Sequence, residues 1–263
     1  MTTRVNRINR RQRQVWYDHL LANTKRWENE IQHGKYLAAA SAEDVWGWGS
    51  PAGKLRAQRR AALILEGASI GSGSRALEIG CGTGLFTDYF SQSGAEIVAV
   101  DLSTDLINLA RARRLPPNVR FLEKNFEDCA VDGPFDAVIG SSILHHLDLE
   151  RTWDKVYSLL KPGGRISFAE PNMVNPQIYA ERHFRRFFPS VSPDETAFVR
   201  WQLRRTLEAH GFDSIRITPF DWLHPSTPVA FIPAVQRIGG WLESVWPARE
   251  FSGSLAIRAI RPV

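Results

Sequence analysis

The residues best suited to chemistry form one short run, Glu78-Ile79-Gly80-Cys81-Gly82-Thr83-Gly84, in which a carboxylate precedes three glycines spaced two apart. Glycine lacks a Cβ and tolerates unusual dihedrals, so a glycine-rich turn between strand and helix lets backbone approach a ligand closely. A dinucleotide fingerprint would need glycine at positions 80, 82 and 85, and position 85 is leucine. Glu78 discriminates further, because a carboxylate at the strand end repels a pyrophosphate and suits a cationic, amino-acid-like group, held directly or through water. Asp101 closes the next apolar run, Ile97-Val98-Ala99-Val100-Asp101. A carboxylate there can accept hydrogen bonds from both hydroxyls of a ribose. Together these residues point to a nucleoside that carries positive charge and no phosphate.

The elements that must position them follow from periodicity. Short apolar runs at 75–79, 96–100, 119–122, 135–139 and 165–169 alternate with helix-length segments at 84–93, 104–113 and 149–160, the pattern of a parallel sheet wrapped by helices. A helix from beyond Pro193 to His210 and strands at 214–218 and 254–260 bring the expected sheet to seven strands. Upstream, 4–33 reads as one or two helices, 46–51 as a loop, and 54–66 as an amphipathic helix ending near Gly67. Two parts are expected: a helical extension or lid at 1–53, and the ligand-binding domain at 54–263. Residues 220–251 interrupt the last two strands with Pro225, Pro228, Pro233 and Pro247, yet carry Trp222, Phe231, Ile238, Trp241 and Trp246. Such an apolar segment suits a substrate cover, a dimer face or a membrane surface.

Composition bounds the class. With 43% hydrophobic and 23% charged residues, the chain is that of a folded protein, and no apolar run approaches the roughly 18 residues of a membrane span. The N-terminus has no apolar run after its basic residues, so no secretory signal is read and a cytoplasmic location is expected. Two cysteines, Cys81 and Cys129, are too few for a disulfide framework or a zinc site. The net charge of +5 is concentrated in Arg4, Arg7, Arg10, Arg11 and Arg13, in 182–186 and in 200–205, which form either solvated faces or contacts to an anionic partner.

The turn at 78–84 together with Asp101-Leu102-Ser103 resembles the first two motifs of class I S-adenosylmethionine-dependent methyltransferases, particularly those acting on small molecules. The resemblance continues through Phe121 to Phe126, Phe135 to Val138 and Leu159 to Gly164, covering roughly residues 70 to 170. It implies an α/β, Rossmann-like doubly wound, mostly parallel seven-stranded sheet with S-adenosylmethionine as cofactor and S-adenosylhomocysteine as product. By the same resemblance the cofactor is held by Glu78, Gly80, Cys81, Gly82, Thr83, Gly84, Asp101, Leu102 and Ser141. Asn125 would meet the adenine amino group and Phe126 its ring.

In-line methyl displacement depends chiefly on alignment, and a base is optional. The candidates are His145 and His146 in Ser141-Ser142-Ile143-Leu144-His145-His146-Leu147, at the strand edge where open α/β sheets bind ligands. This stretch also resembles the region where ubiquinone-biosynthesis O-methyltransferases carry metal-binding acidic residues. Here the positions are Ser142, His145 and His146, without a carboxylate, so no metal is expected. Trp46, Trp48, Glu170 and Asn172 are candidate acceptor contacts, with core packing and strand termination as rivals. The expected acceptor is a small or lipid-like molecule, with a homodimer and peripheral membrane contact as further partners. A nucleic-acid methyltransferase and a non-catalytic cofactor-binding module are the alternatives. The first is disfavoured because Ser141-Ser142-Ile143-Leu144 stands where many base-amino methyltransferases carry Asn/Asp-Pro-Pro-Tyr/Phe.

Overall fold

A computed structural model describes residues 26–184 and 197–263. The arginines at 4–13 and Arg185 and Arg186 lie outside the described residues, as do the first part of the helix expected at 4–33 and the region just after Pro193.

The chain alternates as its apolar runs require. Helix α1 (26–39) and the single turn α2 (Ala42–Val45) precede α3 (Pro51–Ala68). Then follow β1 (Arg75–Ile79), α4 (Leu85–Ser91), β2 (Glu96–Asp101), α5 (Thr104–Ala112), β3 (Val119–Glu123), β4 (Phe135–Ser141), α6 (Leu149–Leu159) and β5 (Leu160–Pro171). Helices α7 (Pro176–His183) and α8 (Arg200–Ala209), strand β6 (Asp213–Phe220), helix α9 (Ile232–Ser244) and strand β7 (Ser254–Ile260) complete it.

The seven strands form one sheet in the order β3-β2-β1-β4-β5-β7-β6, all parallel except β7, which runs antiparallel to both its neighbours. The expected class of sheet is therefore present. Successive residues of β2 serve opposite faces: Ile97 and Ala99 pack with α3, α4 and α5, while Val98 and Val100 join Trp153 and Val156 of α6 and Leu203 and Leu207 of α8. A strand covered on both sides has no polar face, which is why these strands read as unbroken apolar runs. The strand order reverses between β1 and β4, and the loops leaving these strands diverge there to open a crevice.

Several boundaries differ from expectation for local reasons. Helix α3 starts at Pro51, because the Ser50 hydroxyl accepts the Gly53 N–H (2.9 Å) and proline suits the first helical position. It also continues through Gly67, where a Cβ would stand 2.4 Å from Ser167 Oγ. The boundary expected between residues 53 and 54 thus falls inside a helix. Strand β5 begins at Leu160 and includes Lys161-Pro162-Gly163-Gly164, a stretch whose residue types mark only the stop of the preceding helix. Helix α9 lies within the proline-interrupted insertion, with Pro233 in its first turn, where its missing N–H costs nothing.

Candidate active site

The crevice at the strand reversal holds a cavity of about 320 Å³, bordered by the β1–α4 turn, the end of β2, the loop after β4 and helix α1. Gly80, Cys81, Gly82, Thr83, Asp101, Leu102, Asn125, Phe126, Ser141, His145, His146, Trp46 and Trp48 all line it. Four of the expected site residues do not: Glu78, Gly84, Glu170 and Asn172.

Gly80 and Gly82 take φ values of 68° and 52°. At Gly80 a Cβ would also lie 2.4 Å from Ile143, so both dihedral and space demand glycine. Asp101 fastens the turn to the end of β2. Its Oδ2 accepts the Gly82 N–H (2.8 Å) and its Oδ1 the Ser103 N–H (2.9 Å), leaving each oxygen further lone pairs for a ligand. Burial raises its pKa; the two N–H donors oppose that rise, the Glu30 carboxylate adds to it and His146 opposes it. Gly84 serves the turn from outside, as the left-handed residue ahead of α4, with Ala110 and Arg113 close by.

Glu78 lies beneath the turn, only 1% exposed, and its Oε2 has no hydrogen-bond partner among the described residues. Glu78 therefore lies behind the cavity wall and does not border the cavity. Burial pushes its carboxyl up to about 8, helped by the Asp101 charge. The Thr87 hydroxyl works against that rise but closes no hydrogen bond. The folded protein therefore holds a proton that an unfolded glutamate, with a pKa near 4.3, releases. The stabilisation is complete below that value and is lost as the pH rises towards 8. Glu78→Gln should flatten the fall in stability across this window by about 1–3 kcal/mol, read from urea unfolding at pH 5 and pH 8.

The loop after β4 is organised by Glu170. Fully buried, it accepts the N–H groups of Ile143 (2.8 Å) and Leu144 (2.9 Å) on Oε1 and meets His145 Nδ1 on Oε2 (2.7 Å). Asn172 is consumed in the same way. Its Nδ2 donates to the carbonyls of Glu250 and Ser252, both at 2.8 Å, and its Oδ1 accepts the Val174 N–H. In this arrangement both residues hold protein groups in place, and neither borders the cavity. With Glu170 on Nδ1, the His145 proton sits on that nitrogen and the basic lone pair on Nε2. His146 Nδ1 meets Glu30 Oε1 of α1 at 3.0 Å, and the two imidazoles lie 4.2 Å apart.

Helix α1 contributes Trp27, Glu30 and Leu37 to the cavity. Glu127 holds it down: Oε2 accepts from Arg26 and from Trp27 Nε1 (2.8 Å), and Oε1 accepts the Asp148 N–H (2.7 Å). Trp46 lies over Gly82, and Trp48 meets the edge of Phe86. No residue of 220–251 lines the cavity, and the insertion packs on α3. Asn125 spends Oδ1 on the Glu127 N–H (3.0 Å). Burial pushes the Cys81 thiol up, which keeps it protonated and unreactive.

Sequence reasoning missed Arg60, 3% exposed. Its guanidinium donates to Ser142 Oγ (2.9 Å), the Ala169 carbonyl (3.0 Å) and Ser254 Oγ (2.5 Å), joining the ends of β4, β5 and β7, and it stands over the Trp48 ring. Burial lowers its pKa to about 10, with Arg56 adding to the effect, so it stays charged at neutral pH. Its surroundings in the sequence are those of any arginine on an amphipathic helix. Glu43 was also missed; it bonds Thr83 Oγ1 (3.1 Å) and Arg113 behind the turn. Neither has a sequence signal, since each acquires its role from partners distant along the chain.

Residues 76–164 match the family model described as a methyltransferase domain. A ubiquinone biosynthesis O-methyltransferase of Xanthomonas axonopodis pv. citri is 35% identical over 106 residues, which is 38% of this chain and 44% of that protein, so the match spans less than half of the relative. Among solved structures, the complex of the Haloferax volcanii Trm112 methyltransferase activator with a methyltransferase aligns with a TM-score of 0.64 at 19% identity, covering 86% of this chain and 98% of that one. The N-methyltransferase NodS of Bradyrhizobium japonicum with S-adenosylhomocysteine aligns at 0.60 and 18%, covering 89% and 100%. The structural likenesses speak for the fold, and the matched domain carries the glycine turn and Asp101. The chain thus carries a methyltransferase domain over residues 76–164, on a fold shared with solved methyltransferases.

Proposed function

We propose that this protein transfers a methyl group from S-adenosylmethionine to an oxygen, nitrogen or carbon atom of a small or lipid-like acceptor. The observation that carries the reading is Asp101, fixed by two backbone donors at the cavity wall beside a turn that only glycine can make. The residues present fit the cofactor. Asp101 and Glu30 border the cavity beside the turn, Lys124 and Arg182 line it as well, and Arg113 behind the turn is committed to Glu43 and the Thr83 carbonyl. When bound, S-adenosylmethionine supplies an electrophilic methyl group on a sulfonium.

The chain's own residues divide the work. Asp101 accepts the ribose hydroxyls, Gly80 and Gly82 bring backbone against the ligand, and Asn125 and Phe126 flank the base. Leu102, Cys81, Thr83 and Ser141 shape the wall around it. Trp46, Trp48 and α1 exclude water. Glu170 orients His145, whose Nε2 would take the proton that a hydroxyl or neutral amine acceptor gives up as its bond to the methyl carbon forms and the carbon–sulfur bond breaks.

Transfer of isotopic label from the cofactor's methyl group to a panel of phenols, amines and amphiphiles tests the reading; tight cofactor binding without transfer to any of them would favour a non-catalytic module. With an acceptor in hand, His145→Ala should lower turnover at saturating substrates by about a hundredfold, and a loss under about tenfold would remove the base.

A further inference from the structure

Helix α9 is apolar on two sides. Ile232 and Val235 face inward to Leu223 and Leu55, and Gly239 lets the helix close on Trp222, whose Cβ a Cβ at position 239 would meet at 2.9 Å. On the opposite side Phe231, Ala234, Ile238 and Trp241 recur at three- and four-residue spacing, all exposed. Trp241 is 62% and Trp246 71% exposed, and Val229 and Phe251 extend the patch. A helix that only needed to close the fold would be polar on this side.

The charges around the patch are one-sided. Asp221, Glu243 and Glu250, the carboxylates of 220–251, are bonded to Arg56, Arg59 and Arg200. Arg237, on the flank of the exposed stripe, makes no ion pair among the described residues. The face therefore offers tryptophan and phenylalanine beside an uncompensated cation, in a chain of net charge +5. Tryptophan favours the boundary between water and hydrocarbon, and arginine favours anionic headgroups. A second copy fits less well, since a twofold pairing of this face would bring Arg237 to an interface whose carboxylates are already bonded.

We propose that the exposed face of α9, with Trp246 and Phe251 beside it, docks onto an anionic lipid bilayer. The insertion is tied to α7 through Gln177 and His224 (3.0 Å) and through Asn175 Nδ2 and the Phe251 carbonyl (2.7 Å). Helix α7 also carries Arg182, which lines the cavity. The proposal does not depend on methyl transfer.

The full chain should cosediment with vesicles of phosphatidylcholine and phosphatidylglycerol, and less with phosphatidylcholine alone or at high salt. Trp241→Glu and Trp246→Glu should each weaken the partition by about tenfold or more. Arg237→Glu should abolish the preference for anionic vesicles while keeping the melting temperature. These positions are exposed, so unchanged thermal unfolding shows that the variants fold. Absence of binding to the anionic vesicles would overturn the proposal. So would binding that survives both tryptophan changes, which would assign it to other basic residues, or sedimentation as a dimer that Trp241→Glu dissociates.

Discussion

Asp101→Ala is expected to weaken S-adenosylhomocysteine binding by about a hundredfold or more, because hydrogen bonds to a charged partner contribute about 1.5–3 kcal/mol each and a ribose offers two. The alanine also strips the Gly82 and Ser103 N–H groups of their acceptor, loosening the turn that presents backbone to the ligand. Asp101→Asn separates the two effects. It keeps one carbonyl oxygen and the side-chain shape but loses the charge, so its loss should be smaller, about tenfold. Calorimetric titration of both variants gives the answer. Unchanged affinity in Asp101→Ala would sink the cofactor assignment, whatever the acceptor proves to be.

The second large effect concerns stability. Glu170→Ala removes the acceptor of two buried backbone N–H groups and the partner of His145 Nδ1, with no water path to replace them at 0% exposure. Leaving such groups unpaired should cost about 3–5 kcal/mol of unfolding free energy. Glu170→Gln keeps one oxygen for the backbone donors and should cost less than half as much, but its amide cannot stabilise an imidazolium as a carboxylate does. Guanidinium unfolding gives the stability difference. If Glu170 positions His145, the Gln variant loses turnover at saturating substrates beyond what its stability explains, and its activity profile shifts to a different pH.

Much of this site was legible in the sequence because its signals are local. Glycine at 80, 82 and 84, a carboxylate closing each of two strands, and unbroken apolar runs are properties of neighbouring residues, and they mark the turn and the sheet. What escaped is long-range. Glu170 read as a substrate contact because its place at the end of β5 is visible while its burial under the loop after β4 is not. The burial of Glu78 beneath the turn is hidden for the same reason. Arg60 and Glu43 carry no local mark at all. The insertion is a further case: its prolines conceal helix α9, which turns Trp241 outward and packs Gly239 against Trp222.

Arg60 has a consequence for assembly. It joins α3 to Ser254, 194 positions later in the chain, and it is the same guanidinium that holds Ser142 and stands against Trp48. One wall of the cavity therefore awaits the last strand, which enters the sheet between two strands made before it. A chain that has built only β1 to β5 therefore still lacks the Ser254 hydroxyl that helps hold the Arg60 guanidinium beside Ser142 and Trp48.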